Sequence, residues 1–505
     1  MQLVTQIIYR LSNKRPVERA IKWLKSYKIS GKPTISHRNK NVVPLTQETA
    51  GYLISTLYNY GEKEFARNLA KWEASLQGPD GAFYAIDKKP YTFDTAQVIR
   101  GFLTVLEDMP ELEENLRRAC DYVESKIAKN GEVIHDTYET WKLPDGSMLS
   151  EYGNLYVLPP ILEAGIKLSE PKYINAAKRG MEYFRKKPDL VEFKSELGTL
   201  SHYLGYMMEA LVDLGEIELA QKGLQQAADI QKENGAIPAY PGVNWVCSTG
   251  VAQLSIAWYK LGQKTHADRA MEYLEKIQNR SGGFYGSYGE DGKYFPNKEI
   301  SWAVKFFLDA YYWKIKTDFN SEVNIYSESI DKNDGRVKEI MSYFGDLNDK
   351  RVLDAGCGKG RYIKILRDEY PQGKFYGLDI SDEMLKSCPK GTVTKCGSLL
   401  NIGYPDSYFD CAYTIEALEH ALVIENAIKE MVRVIKPGGK LIIIDKNVIR
   451  LGRLKLKSWE FWFNPDQIAK MLQKYGLRVK HKPIAYEKLT NPDGLFIAWE
   501  GIKNA

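Results

Sequence analysis

Apolar positions follow two different grammars along this chain. Over roughly the first 315 residues they recur at helical spacing in segments rich in small residues: "TAGYLISTLYNYG" from Thr49, "DTAQVIRGFLTVL" from Asp94, "EYGNLYVLPPILEAG" from Glu151, "LSHYLGYMMEALVDLG" from Leu200, "STGVAQLSIAWYKLG" from Ser248 and "EISWAVKFFLDAYYW" from Glu299. These starts fall about every 50 residues, a period long enough for two helices and their loops. Charged amphipathic stretches such as "EKEFARNLAKWEASLQ", "LEENLRRACDYVESKI", "PKYINAAKRGMEYFRK" and "HADRAMEYLEKIQ" lie between them, and "PVERAIKWLKSYKI" precedes the series. The pattern predicts inner, apolar helices alternating with outer, half-solvated ones.

After Lys350 the period changes. Short runs "RVLDA", "KFYGLD", "TVTKC", "FDCAYTI" and "KLIIID" alternate with helical segments, which predicts a parallel sheet flanked by helices, with a ligand at the carboxyl ends of the strands. The polar segment "KTDFNSEVNIYSESIDKNDG" reads as the boundary. The expected organisation is an all-α unit over residues 1–316, a linker over 317–335 and an α/β unit over 336–505.

Size and composition agree with a multidomain folded protein. The chain has 505 residues, 44% of them apolar and 27% charged, and a net charge of +5 that forms no block of like charge, so nucleic acid is not the expected partner. Its six cysteines show neither CxxC spacing nor a disulfide-like framework, and no apolar run approaches the ~20 residues that span a bilayer. The opening "MQLVTQIIYRLSNKRP" lacks a signal-peptide pattern. These features predict a cytoplasmic protein without a membrane span.

Six helix pairs closed into a ring would bury every inner helix. The pattern over residues 16–315 resembles the (α/α)6 toroids of terpenoid cyclases, prenyltransferase β-subunits and several carbohydrate-active enzymes. The turns "QGPDGAFYA", "NGAIPAYPG" and "SGGFYGSYG" resemble the glycine-aromatic turns of such rings, although glycine after a helix is also ordinary end-capping. The resemblance implies that residues opening the inner helices line one cavity: Glu48, Asp94, Tyr152, His202, Tyr203, Trp245 and Trp302, with Glu151, Cys247 and Glu299 beside them. A carboxylate there also serves as a helix-start partner and a tryptophan as core. Carboxylates with aromatics suit a sugar or glycan, and aromatics alone would suit an isoprenoid cation. Neither a DxDD acid nor a DDxxD motif is present, and Cys247, His202 and Asp94 lack the local sequence of a zinc site, so no metal is expected.

The α/β half carries the most specific signal, "RVLDAGCGKGRY". Its glycines run G-x-G-x-G, one residue short of a dinucleotide fingerprint, and no hydroxyl follows Lys359 as a Walker loop requires. "VLDAGCGKG" instead resembles motif I of class I S-adenosylmethionine-dependent methyltransferases. "FYGLDIS", "YFDCAYTIEALEHA", "EMVRVIKPGGKLIIID" and "FNPDQIAKMLQKYGLRV" match later motifs of that family in order, over about residues 335–503. The resemblance implies S-adenosyl-L-methionine as cofactor, held by Asp354, Gly356, Cys357, Gly358, Asp379, Ile380, Ser398, Leu399 and Thr414. Asp379, 25 residues after Asp354, would accept from both ribose hydroxyls. Where the family often has Gly-Asp this chain has Gly397-Ser398, so adenine recognition shifts toward a weaker serine contact and the Leu399 backbone.

His420 and Glu416 in "TIEALEHA" are the candidate catalytic residues, and Tyr413, Asp445 and Lys446 are secondary ones. The insertion "RLGRLKLKSWEFWF", Arg450 to Phe463, reads as a lid or docking surface, or as a solvated amphipathic helix. The expected function is methyl transfer to a small molecule, sugar, glycan or glycoconjugate bound with help from the toroid, as in polysaccharide biosynthesis. A bifunctional isoprenoid enzyme and a cofactor-binding scaffold without turnover are the alternatives.

Overall fold

The computed structural model describes residues 15–26, 46–84, 88–134, 151–452 and 460–505, together with the backbone of short strands between residues 28 and 43. Half of the Arg450–Phe463 insertion, residues 453–459, and the opening segment lie outside the described residues. The chain divides into two compact units, Lys14–Tyr58 with Glu62–Lys314, and Ile315–Ala505 with Asn59–Gly61.

The first unit is mainly helical and follows the two expected helix types. Helices Thr92–Val105, Ser201–Asp213 and Ser248–Lys260 are buried on nearly all faces. Glu113–Ser125, Pro171–Arg185 and Ile217–Asp229 bury one stripe and leave the other in water. Glycine lets the buried helices meet backbone to backbone. A Cβ on Gly101 would lie 2.3 Å from the Gly51 carbonyl oxygen, and one on Gly250 2.2 Å from Ser201 Oγ. Any side chain at these positions would prise the helices apart.

The turns after the outer helices share a repeated contact. Gln77 Nε2 donates to the carbonyls of Gly81 and Asn115 at 2.9 and 2.8 Å, and Gln231 Nε2 repeats this with Gly235 and His266 at 3.3 and 3.0 Å. Gln278 Nε2 does the same with Gly282 and Pro16, at 3.0 and 2.9 Å. The turn glycines press on the next outer helix in the same way: a Cβ on Gly81 would meet the Arg118 carbonyl oxygen at 2.3 Å, and one on Gly282 would meet that of Arg19 at 2.1 Å. The last repeat therefore treats the helix Pro16–Ser26 as its next neighbour.

The second unit is built on a seven-stranded sheet of strands β1 Arg351–Ala355, β2 Lys374–Asp379, β3 Val393–Cys396, β4 Phe409–Ile415, β5 Ile435–Lys446, β6 Leu477–Ile484 and β7 Phe496–Lys503. Their order is β3-β2-β1-β4-β5-β7-β6; the first five are parallel and β7 is antiparallel to both its neighbours. Val337, Ile340 and Phe344 of helix Gly335–Phe344, and Ile363 and Leu366 of helix Arg361–Glu369, pack with Val352, Phe375, Ile442 and Ile444 of the sheet. This is the Rossmann-like α/β fold that the strand-helix alternation predicts. Among the described residues no helix is long and apolar enough to cross a membrane.

Residues 317–335 are not a spacer. Thr317 to Ser321 finish the helix Ser301–Ser321, Val323–Ile325 forms a short 3-10 turn, and the whole segment belongs to the second unit. Ile315 is 3% exposed, and Ile315 and Phe319, one helical turn apart, both line that unit's cavity.

Candidate active site

The carboxyl ends of β1, β2, β4 and β5 surround a cavity of about 550 Å³, within the ordinary range of small-molecule sites. Its floor is the loop after β1. Gly356, Gly358 and Gly360 all have positive φ, at 85°, 52° and 74°, which explains a glycine at every second position. The Gly356 and Cys357 amides both donate to the Leu378 carbonyl, at 2.7 and 2.9 Å, pinning the loop to β2. A Cβ on Gly356 would lie 2.3 Å from the Ala417 Cβ, whereas the same position on Gly358 has no atom within 4 Å and faces open space. Gly356→Ala is therefore expected to destabilise the second unit by at least about 2 kcal/mol, seen as a fall of several degrees in its thermal midpoint by calorimetry.

Asp379 ends β2 with its carboxylate gripped by the main chain. Gly358 N–H donates to Oδ2 at 2.7 Å and Ser381 N–H to Oδ1 at 2.9 Å. Burial raises its carboxyl above the usual range, opposed by these backbone donors. Asp354, 2% exposed on β1, is pushed up to about 8, chiefly by burial. Ser398 Oγ accepts from Leu400 N–H at 3.2 Å, so its hydroxyl proton remains available to a ligand. Asp354, Gly356, Cys357, Gly358, Asp379, Ile380, Ser398 and Leu399 share one lining with Glu416 and His420. Thr414 does not: it is fully buried in β4 and takes no part in the cavity wall, and neither does Tyr413. The open glycine cradle and the acid at the end of β2 fit the donor and acceptor needs of S-adenosylmethionine, whose ribose diol requires a carboxylate and whose amino-acid part requires a close backbone.

The far end of the cavity is charged. Glu416 has φ of 52°, unusual for a residue with a side chain. Its carboxylate pairs with Nη1 of Arg336, whose Nη2 Asp334 holds at 2.9 Å, and lies 3.7 Å from Arg361 and 3.9 Å from Lys446. That makes Glu416 a brace within an ionic network.

Glu419, which the sequence did not mark, is 1% exposed. Lys446 Nζ lies 2.5 Å from its Oε1, while Oε2 has no hydrogen-bond partner among the described residues. Burial drives this carboxyl up to about 7 against the pull of Lys446. Asp445 is buried behind it and accepts from Glu419 N–H at 3.1 Å. His420 Nε2 sits 3.5 Å from Glu419 Oε1, and its ring packs edge-on to Phe319 at 5.2 Å.

In the first unit, Glu48, His202, Tyr203 and Trp302 belong to one aromatic cluster. Tyr206 OH donates to Glu48 Oε1 at 3.0 Å, and its ring lies 4.5 Å from His202. Tyr203 lies tilted against His202 with ring centres 5.4 Å apart, and Trp302 Nε1 donates to Tyr294 OH at 2.9 Å. Tyr152 instead donates to Asp189, Trp245 is buried against Tyr240, and Asp94 sits in the first turn of its helix. Glu299 accepts from Trp23 Nε1 at 2.7 Å and Asn279 at 2.8 Å, a structural role. Sequence reading missed Lys305, which is 3% exposed and lies 3.7 Å over the Phe306 ring and 2.9 Å from Asp309.

Burial lowers His202 to about 4 and raises Glu48 to about 7. A carboxyl raised in the folded state favours folding while protonated, and that advantage is lost as pH climbs from its unfolded value near 4.5 to about 7. Glu48→Gln, which mimics the protonated form, is thus expected to gain thermal stability over the native protein at pH 8 and little at pH 4.5. Equal differences at both pH values in a melting series would contradict the burial of this carboxyl.

Comparison with known proteins places the family resemblance on the same residues. Residues 353–443 match the methyltransferase domain family. The chain is 40% identical over 97 residues to a tRNA (carboxymethyluridine(34)-5-O)-methyltransferase of Arabidopsis thaliana, covering 18% of this chain and 23% of that protein. It is 29% identical over 147 residues to a demethylmenaquinone methyltransferase of Geobacillus stearothermophilus, covering 27% of this chain and 63% of that one. The chain thus spans less than two thirds of either relative. A solved structure of an S-adenosylmethionine-dependent methyltransferase from Thermotoga maritima superposes with a TM-score of 0.30 at 22% identity, over 38% of this chain and all of that one. The second unit is a methyltransferase domain of the S-adenosylmethionine-dependent class, and its cofactor is S-adenosyl-L-methionine.

Proposed function

We propose that the whole protein is an S-adenosylmethionine-dependent methyltransferase acting on a hydroxyl of a sugar, glycan or glycoconjugate, with the first unit a closed (α/α)6 toroid that binds the acceptor. One observation carries the methyl-transfer reading: the Gly356–Gly360 cradle, Asp379 and the buried, half-partnered Glu419 share one cavity. The cofactor, when bound, supplies an electrophilic methyl group. Asp379 would hold its ribose, Asp354 and the loop amides would receive its amino-acid part, and Ser398 with Leu399 would receive its base. Glu419 Oε2 takes the acceptor proton and becomes neutral, Lys446 favours the ionised carboxylate that precedes this step, and His420 and Glu416 position this end of the site.

The Gln278 and Gly282 contacts onto the first outer helix support ring closure, because they repeat the contacts between successive repeats. Glu48, Tyr206 and Trp302 support a glycan over an isoprenoid. Lys305 occupies the Phe306 ring face that would otherwise stabilise a carbocation, and its charge would repel one. Turnover is favoured over a silent scaffold by a carboxyl poised near neutrality at the acceptor end. A cytoplasmic setting is consistent with six free cysteines. Incubating the full chain with methyl-tritiated cofactor and panels of oligosaccharides, quinols, isoprenoids and transfer RNA tests the substrate class. Label in oligosaccharide is the expected result, and label confined to any of the other three would overturn the glycan assignment.

A further inference from the structure

The cofactor loop carries a thiol pair that the methyl-transfer chemistry does not use. Cys357, between Gly356 and Gly358, has its Sγ 3.9 Å from the Sγ of Cys388, which follows the short helix Asp382–Leu385. Both thiols lie beside the Gly358 carbonyl, at 3.6 and 3.5 Å. Cys388 also closes on the loop from its other end, since a Cβ on Gly360 would meet its Sγ at 3.2 Å. Cys357 is 5% exposed and lines the cofactor cavity, whereas Cys388 is only half-buried and lies outside that lining.

We propose that Cys357 and Cys388 form a reversible disulfide that weakens cofactor binding, making the glycine loop a redox-modification site for peroxides. A disulfide requires about 2.05 Å between sulfurs, so the pair must close by a little under 2 Å. Cys357 Sγ is already hard against β2, where a Cβ on Gly377 would meet it at 2.9 Å. Part of the closure must therefore come from the loop. The same loop presents the Gly358 amide to Asp379 at 2.7 Å and the Cys357 amide to Leu378 at 2.9 Å. Dragging Cys357 toward Cys388 disturbs both contacts and the cradle they hold open.

Access sets the order of steps. The half-buried Cys388 thiol attacks one oxygen of the peroxide, becoming a sulfenic acid and releasing water. The Cys357 thiol then displaces hydroxide from that sulfur, its own proton completing a second water. Two thiols lose two electrons and two protons, and one hydrogen peroxide is reduced to two waters. The neighbouring Cys388 thiol, and then burial, hold the Cys357 thiol well above its usual range, which slows the second step; the half-buried Cys388 meets the oxidant first. Linkage requires reciprocity: if the disulfide weakens cofactor binding, bound cofactor must disfavour the disulfide.

The test uses the full chain, first reduced with dithiothreitol and then treated with hydrogen peroxide, with S-adenosylmethionine binding measured in both states. Peptide mapping should show a Cys357–Cys388 cross-link and a mass loss of two hydrogens. Cofactor affinity should fall about tenfold, a typical coupling between sites, and return with dithiothreitol. Saturating cofactor should slow cross-linking, and Cys388→Ser should bind like the reduced protein before and after peroxide. The proposal is overturned if no Cys357–Cys388 peptide forms, if the cross-linked protein binds with unchanged affinity, or if Cys388→Ser loses affinity on oxidation. A reduced protein that binds no cofactor would overturn the cofactor assignment itself, a result distinct from these.

Discussion

Asp379→Asn is expected to raise the dissociation constant for S-adenosylmethionine by about 100-fold or more. Both Asp379 oxygens already accept main-chain hydrogen bonds, from Gly358 at 2.7 Å and Ser381 at 2.9 Å. An asparagine amide cannot accept at both positions, so the N–H of Gly358 or of Ser381 faces another donor, although the Gly356 and Cys357 amides still tie the loop to Leu378. The ribose diol loses its charged acceptor as well. Hydrogen bonds to a charged group contribute roughly 1.5–3 kcal/mol each, and loss of two gives about 3 kcal/mol or more, hence the hundredfold. Equilibrium dialysis with radiolabelled cofactor measures this directly, and a change under about threefold would show that Asp379 does not hold the ribose.

Glu419→Gln is expected to act on the other half of the reaction. Cofactor affinity should stay within about threefold of the native value, while turnover falls by roughly 10²–10⁴, the usual contribution of a positioned base. The substitution keeps the shape of the side chain, and Lys446 retains Glu460 at 3.7 Å and Glu416 at 3.9 Å as counter-charges. With its carboxyl raised to about 7, Glu419 is an effective base only when ionised. The native rate should therefore climb with pH through about 7 and level off above it, while the glutamine variant shows a low, flat profile. A glutamine variant that keeps the native slope would move the base elsewhere, with His420 the next group to test.

The parts legible in the sequence were those that local chemistry dictates. Three glycines at alternate positions announced a loop with three positive φ values, and the 25-residue step from Asp354 to Asp379 placed both acids at the ends of adjacent strands. Thr414 was misplaced because β4 is a central strand buried on both sides, so alternation gives no sign of which residue reaches the cavity. Glu419 was invisible for a different reason: its poise depends on burial and on Lys446, far along the chain, which pairs with it. The segment 317–335 looked like a linker because its polar residues mask the helix end that carries Phe319 to the site. Lys305 could have been found, since a charge inside an otherwise apolar helix demands a partner. So could the recurring glutamine four residues before Gly81, Gly235 and Gly282, whose side chain stitches each turn to the next outer helix.

Calorimetric titration of the reduced chain with S-adenosylmethionine tests most directly whether the second unit is a working cofactor site. One site per chain with micromolar affinity is the result expected. A folded protein that takes up no cofactor at about 1 mM would contradict it, because the affinity would then fall short of even ~4 kcal/mol.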